Sequence, residues 1–366
     1  MKTVPVNLGS RSYDIHVGHG ILDRIGTTYV DLGLGAKAAI VTNPTVAALY
    51  LNPVQRSLEA AGIDTSVVTV PDGEEYKTLE TVATIQGELI QAGLDRTSCV
   101  VTLGGGVIGD MAGFCAATYM RGIDFVQIPT TLEAQVDASV GGKTAVDHAQ
   151  GKNMVGAFHQ PKLVLIDTET LMSLPKRDVR SGLAEVIKHG LIRDQELTDF
   201  LCDRMEQVAE LEIEAEDLDW LIAKNCEIKA GVVEADETEK GLREILNYGH
   251  TIGHAIESAS GFRLRHGEAI ALGMMAEAKI AVDKGVCGTD TMDLQNQLIS
   301  RTGGLGGWDD RVQDNQVIEL MASDKKAREG VIRFVLLGGV GQTVHSDDVS
   351  ADEIATSLQY VRETAS

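Results

Sequence analysis

Apolar and polar positions follow two regimes along the chain. Up to about residue 173, short β-branched runs alternate with stretches whose apolar residues recur at helical spacing, the signature of a largely parallel sheet covered by helices. Strands are predicted at AKAAIVT (36–42), DTSVVTV (64–70), SCVVTL (98–103), DFVQI (124–128) and KLVLID (162–167), with helices at 45–61 and 78–92. An opening pair, VPVNL and YDIHVG around GSRS, predicts a hairpin or an edge addition. Beyond 173 the strand signal nearly vanishes, and helical spacing runs through 178–201, 217–232, 246–259 and 268–285. One late run, VIRFVLL (331–337), predicts a strand that rejoins a sheet or forms a small ribbon, and GGLGG (303–307) predicts a flexible loop. The expectation is an α/β domain over 1–173 and a mainly α-helical domain over 174–366.

Composition agrees with that division. A chain of 366 residues exceeds what one hydrophobic core usually supports, and 43% hydrophobic with 23% charged residues is ordinary for a globular protein. The net charge of −22 repels phosphate backbones and anionic lipid, so neither nucleic acid nor a membrane is an expected partner. The acidic run MEQVAELEIEAEDLDW at 205–220 reads as a solvated helix face. Cys99, Cys115, Cys202, Cys226 and Cys287 form no CxxC pair and are expected as reduced, mostly buried thiols. The first residues lack the apolar core of a secretory leader and nowhere do 18 apolar residues run together, so the cytoplasm is the expected compartment.

Chemistry enters at the glycines. SCVVTL runs into GGGVIGD, where Gly104, Gly106 and Gly109 satisfy GxGxxG between a strand and a helix. Glycines there let backbone N–H groups approach a pyrophosphate at the positive end of the helix; the same pattern also makes a plain strand-to-helix turn. The loop follows a third or fourth strand instead of the first, and Asp124 begins the next strand where an ordinary dinucleotide fingerprint has an acid at its end. PDGEEYKT (71–78) and IPTTL (128–132) also follow strands, so three polar loops are expected on one rim.

Cations and histidines are grouped. GGKTAVD (141–147) and GKN (151–153) each set a lysine beside small residues, where it meets a bound anion or pairs with a carboxylate; Arg121, Lys325 and Lys326 carry the same two readings. GLAEVIKHG (182–190) places Glu185, Lys188 and His189 on about a turn and a half of helix. In GLREILNYGHTIGHAIE (241–257), Arg243, Asn247, His250, His254 and Glu257 are spaced three or four apart, which predicts one polar helical stripe. His250 and His254 have the i, i+4 spacing of a metal-binding pair, with His266 or Glu257 as third ligand, or else are satisfied structural histidines.

GGGVIGD, IPTTL, VDASVGGKTAVD, GKN, GLAEVIKHG, LREILNYGHTIGHAIE, RHGEAI and DKK, in this order and spacing, resemble the 3-dehydroquinate synthases, and the resemblance runs from YDIHVG to about residue 340. It implies a Rossmann-like NAD-binding domain, a helical metal- and substrate-binding domain, and a homodimer. The implied reaction is the shikimate-pathway step from 3-deoxy-D-arabino-heptulosonate 7-phosphate to 3-dehydroquinate and phosphate, a carbon–oxygen lyase step in which NAD is regenerated in every turnover. The implied metal ligands, for Zn or Co, are Glu185, His250 and His266, which leaves His254 to the substrate. The implied NAD contacts are Asp72, Gly73, Glu74, Glu75, Tyr76 and Lys77; Gly104, Gly105, Gly106, Val107, Ile108, Gly109 and Asp110; and Thr130, Thr131, Lys143 and Lys152. The implied substrate pocket takes Asp137, Lys143, Lys152, Asn153, Lys188, Lys229, Arg243, Asn247, His254 and one lysine of DKK, with Arg121 reaching across a dimer. Other sugar phosphate cyclases, of the 2-deoxy-scyllo-inosose or 2-epi-5-epi-valiolone synthase kind, and metal-dependent alcohol or glycerol dehydrogenases share this plan and are the alternatives.

Overall fold

The structure is a computed structural model that describes residues 1–305, 307–327 and 332–365, without the side chains of 323–327. Gly306 of the GGLGG run, Val331 of the late apolar run and the side chains of Lys325 and Lys326 lie outside the described residues.

The strands are β1 (Lys2–Val6), β2 (Tyr13–Gly18), β3 (Lys37–Thr42), β4 (Asp64–Thr69), β5 (Cys99–Gly104), β6 (Asp124–Pro129), β7 (Lys143–His148), β8 (Gly151–Phe158), β9 (Leu163–Asp167), β10 (Phe334–Gly339) and β11 (Gln342–Ser346). The helices are α1 (Ile25–Asp31), the single turn α2 (Pro44–Val46), α3 (Asn52–Ala60), α4 (Leu79–Gln91), α5 (Gly106–Thr118), α6 (Lys176–Arg193), α7 (Gln195–Glu210), α8 (Ala215–Ala235), α9 (His250–Ala259), α10 (His266–Asp283), α11 (Thr289–Arg301), α12 (Asp314–Ala327) and α13 (Ala351–Thr364).

Two compact units divide the chain, Met1–Leu174 with Glu214–Thr238, and Pro175–Ile213 with Glu239–Ser366. The first is built on a seven-stranded sheet of order β1-β2-β9-β6-β5-β3-β4, parallel except for the β1–β2 hairpin. Strands β5 and β9 are buried along their whole length, which is why CVVTLG and LVLID read as continuous apolar runs and not as alternations. Along β3 the pleat sends Ala38 and Ile40 to a core shared with Ile25, Tyr29, Val54 and Leu58, and Ala39 and Val41 to a core shared with Val82, Ile85, Met111 and Phe125. Helices therefore cover both faces.

The boundary expected at 173/174 needs one correction. Helix α8 belongs with the sheet unit, because its buried face, including Leu221, Ile222, Cys226 and Val233, packs against β1 and β2. Polar ties add to that packing: Asn7 Nδ2 donates to Glu234 Oε1 at 2.8 Å and Thr168 Oγ1 to Asp219 Oδ1 at 2.7 Å. A second departure is the antiparallel β7–β8 hairpin, which sequence pattern did not predict. The late strand forms the small ribbon, β10 with β11.

In the second unit α10 is the central element. Fourteen of its residues are buried, from Gly267 to Ala281, and α6, α9, α11, α13 and β10 all pack on it. A helix without a wide polar face has to be surrounded. The polar stripe expected over 243–257 is not one helix: a 3₁₀ turn over Leu242–Asn247 ends at Tyr248, Gly249 takes φ +79°, and α9 starts afresh at His250. Cysteines 99, 115 and 226 are buried and 202 and 287 half-buried, none in a disulfide; burial pushes the Cys115 and Cys226 thiols up to about 12.

Candidate functional site

In the sheet unit the chain runs from β3 outward to β4 and then returns to the other side of β3 as β5, so strand order reverses between β3 and β5. Loops at the carboxyl ends of strands flanking such a reversal form the ligand crevice of α/β sheets. Gly104, Gly105 and Gly106 leave β5 there. A Cβ on Gly105 would stand 2.9 Å from Thr131 Cγ2, and one on Gly104 2.8 Å from Ile108 Cβ, so only glycine permits this close turn. Helix α5 then starts without a side-chain cap, which leaves its first N–H groups open to an anion. Gly109 packs on β6 next to Gln127, Val107 is half-buried and Ile108 buried; Thr130 N–H bonds Gly104 O at 3.0 Å. The cradle fits the pyrophosphate of a dinucleotide.

Lys77 ties three segments of this unit together. Its Nζ lies 2.6 Å from Asp110 Oδ2 on α5 and 2.7 Å from Asn153 Oδ1 on β8. Burial alone would lower the Lys77 pKa, but Asp110, Glu74 and Asp147 outweigh it and raise it. Asn153, at φ +54°, has its N–H on Asp147 Oδ1 at 2.8 Å, and Lys152 Nζ faces Glu74 Oε1 at 3.2 Å. Asp72 accepts from Asn43 Nδ2 at 3.1 Å and Thr45 Oγ1 at 3.2 Å, while Gly73, Glu75 and Tyr76 complete the loop. Elsewhere in the unit Lys229 Nζ, on α8, pairs with Asp137 Oδ1 at 2.6 Å and donates to its carbonyl at 2.7 Å. Lys143 opens β7 with an exposed side chain, and Arg121 is exposed at φ +72°.

The helical unit gathers the histidines. His266 is the first residue of α10, and α10 docks so closely on α6 that a Cβ on Gly267 would stand 1.8 Å from Ser181 O. Arg177 fixes the same end, with Nε and Nη2 each 2.7 Å from a Glu268 oxygen. One turn along α6 from Ser181 stands Glu185, fully buried and ion-paired with Lys188. Helix α9 approaches α10 through glycines as well: a Cβ on Gly273 would stand 2.0 Å from Gly249 O, and one on Gly253 3.0 Å from Ala269 O. The result brings Glu185 Oε1 within 3.5 Å of His250 Nε2 and 3.6 Å of His266 Nε2. His254 is exposed, its ring centroid 5.1 Å from that of His250 and 5.6 Å from that of His266.

Ring orientation follows from the other nitrogen of each histidine. His250 Nδ1 lies 3.1 Å from Tyr248 O, which only accepts, so Nδ1 carries the proton and Nε2 offers a lone pair. His266 Nδ1 faces the buried Glu257 Oε2 at 3.6 Å. Burial first and the Lys188 ammonium second hold the His250 pKa well below its ordinary value, against Glu185; the ring is neutral at neutral pH, the form that ligates a metal. Donors about 2.0–2.2 Å from a four-coordinate ion stand roughly 3.3–3.6 Å apart, and the Glu185–His250 and Glu185–His266 separations lie in that range. His250, His254 and His266 also bring one nitrogen each within 4.8 Å of one another. Arg243 is fully buried, and Asn247 Nδ2 donates to Glu239 Oε1 at 3.2 Å.

Asn43, Asp147 and Glu239 are polar partners here that sequence reasoning did not assign. Asn43 carried a usable signal, a strand followed by Asn-Pro, and its Oδ1 caps α2 by accepting from Val46 N–H at 2.8 Å. Gly267 supplies a prediction: Gly267→Ala must push α10 off Ser181 O, at an overpacking cost of about 1–3 kcal/mol, and carry His266 away from Glu185. A metal titration with a thermal melt should show both weaker metal binding and lower stability; unchanged values would mean that the helices give way elsewhere.

The pattern described as 3-dehydroquinate synthase N-terminal matches residues 67–181, and that described as 3-dehydroquinate synthase C-terminal matches residues 182–327. A 3-dehydroquinate synthase of Pelobacter propionicus is 48% identical over 345 residues, covering 94% of this chain and 95% of its own. Among solved structures, a 2-deoxy-scyllo-inosose synthase complexed with carbaglucose-6-phosphate, NAD+ and Co2+ superposes with TM-score 0.89 at 28% identity over 99% of both chains. The 2-epi-5-epi-valiolone synthase of Streptomyces hygroscopicus subsp. jinggangensis, with NAD+ and Zn2+ bound, superposes with TM-score 0.88 at 27% identity over 96% of this chain and 97% of its own.

Proposed function

This chain belongs to the 3-dehydroquinate synthase family, and on that premise we propose that it turns 3-deoxy-D-arabino-heptulosonate 7-phosphate into 3-dehydroquinate and phosphate, with NAD and one divalent ion as cofactors. The observation that supports this most is the convergence of Glu185 Oε1 with His250 Nε2 and His266 Nε2 at 3.5 and 3.6 Å. We assign these three as the metal ligands. Glu185 is preferred to His254 as third donor because its buried carboxylate offsets the charge of a dication, whereas the His254 ring is exposed, where substrate can reach it.

When bound, the ion would act as a Lewis acid on substrate hydroxyls and NAD would take up and return one hydride. The chain's own groups bind and orient. The glycine cradle of Gly104 to Asp110, the loop Asp72–Lys77, and Thr130 and Thr131 hold the dinucleotide. Lys143, Lys152, Lys188, Lys229 and Arg243 give an acidic chain the local positive charge that a phosphate and a carboxylate require. Asp137, Asn153 and Asn247 fix hydroxyl positions, and Asp137 also holds Lys229 in place. His254, exposed beside His250 and His266, moves a proton on and off substrate. The reading includes a homodimer, to which the exposed Arg121 on its left-handed backbone would contribute. It also places the enzyme in the cytoplasm; among the described residues no helix is long and apolar enough to cross a membrane.

Hydride that leaves and returns on one bound cofactor makes turnover redox-neutral. Mixing the enzyme with the heptulosonate phosphate should release inorganic phosphate steadily with no growth of NADH absorbance. NADH rising in step with phosphate, or without it, would move the protein to the dehydrogenases.

A further inference from the structure

We propose that Glu277 is a positioning residue for the metal centre: from α10 it clamps the first turn of α9 and so fixes where His250 presents its Nε2. The inference rests on the reading of Glu185, His250 and His266 as ligands.

The first N–H groups of any helix need acceptors from outside it. At α9 the residue in the N-cap position is Gly249, which has no side chain to offer. Nor can it gain one, because its φ is +79° and a Cβ would stand 2.4 Å from Met274 Cγ. Gly249 and Ile252 are buried, away from bulk water. Glu277, fully buried three turns along α10, supplies the acceptor instead: Oε2 takes the Gly249 N–H at 2.6 Å and Oε1 the Ile252 N–H at 3.4 Å. His250 lies inside this clamped turn, and its ring is set by a hydrogen bond to Tyr248 O at its edge. The Tyr248 hydroxyl is in turn anchored on Gln295 Oε1. One carboxylate thus holds the backbone of a ligand that it never touches, and the next turn of the same helix carries His254.

Glu277→Gln is the informative change, because an amide keeps one acceptor and sets its NH2 against the other N–H. Partners outside the ligand set typically govern metal affinity by roughly 10–100-fold. The full chain, Glu277→Gln and His250→Ala are titrated with Co2+, with the visible absorption of bound Co2+ recorded. Weakening of Glu277→Gln by roughly that factor, with an altered cobalt spectrum in the folded protein, is the expected result. A purely structural role would lower the melting temperature and leave cobalt affinity and spectrum native, which overturns the proposal. His250→Ala separates the two failures: native cobalt binding in that variant sinks the ligand reading itself, whereas its loss beside native binding in Glu277→Gln sinks only the clamp. Hydrogen exchange on the unaltered chain decides the matter even where Glu277→Gln does not fold. The Gly249 and Ile252 amides should be strongly protected with and without Co2+; exchange at the solvent rate without the ion contradicts a turn held by Glu277.

Discussion

His266→Ala and Glu185→Ala are expected to lose their metal, while His254→Ala keeps close to one equivalent and loses most of its activity. Spacing alone proposes the i, i+4 pair His250 and His254, so the two readings divide on His254 and Glu185. Glu185 Oε1 stands at a ligand-to-ligand separation from both Nε2 atoms, and the three donors come from three helices, α6, α9 and α10. Removing one leaves two rings, or one ring and a carboxylate, and should weaken binding by more than the roughly 10–100-fold that outer partners govern. His254 lies on the exposed side of the same cluster. Loss of a general acid–base group typically lowers rate by about 10²–10⁴-fold, and that is the range expected for His254→Ala. Metal analysis and turnover of the three purified variants check both halves. A metal-free His254→Ala beside a metal-replete His266→Ala would reverse the assignment.

Lys152→Ala should lower kcat/KM by ten- to a hundredfold and leave the fold alone. A charged hydrogen bond to a bound anion is worth about 1.5–3 kcal/mol, and each 1.4 kcal/mol is roughly a factor of ten in rate. Lys152 sits on β8 with its side chain 27% exposed, and its partner Glu74 is 37% exposed, so their pairing adds little to stability and Glu74 is rehydrated when the lysine goes. The melting temperature should hardly move. Arg243 needs a gentler change because its guanidinium is fully buried. Arg243→Lys keeps the charge but not the planar fork, and a comparable loss of activity is expected with metal content intact. Near-native kinetics in both variants would remove these two cations from substrate binding.

Most of the sheet was readable because parallel strands buried on both faces leave uninterrupted apolar runs. AKAAIVT, SCVVTL and KLVLID became β3, β5 and β9 with boundaries shifted by a residue. The β7–β8 hairpin escaped because one face of it is solvated: KTAVDH and GKNMVGAF carry glycine, lysine and asparagine where strand propensity is low. Helix α8 was recognised as a helix but given to the wrong unit, since periodicity shows which face is apolar and not what covers it. The stripe from Arg243 to Glu257 has flawless helical spacing, yet the chain breaks at Tyr248 and Gly249 because α10 approaches there at Gly273, a contact no local pattern records. In the site, the two histidines of α9 announced themselves. Glu185 was one of three polar residues on a short stretch of helix until the family resemblance singled it out, and Glu277 is hidden in the apolar rhythm of α10.

A cyclase of the dehydroquinate kind differs from its structural neighbours in the substrate it closes. Phosphate release measured side by side from 3-deoxy-D-arabino-heptulosonate 7-phosphate and from glucose 6-phosphate tests it most directly, with the carbon product of each reaction identified by NMR. One 3-dehydroquinate per phosphate is expected from the heptulosonate, and no release from the hexose phosphate. Release from glucose 6-phosphate, with a carbocycle formed and the heptulosonate left intact, would contradict it.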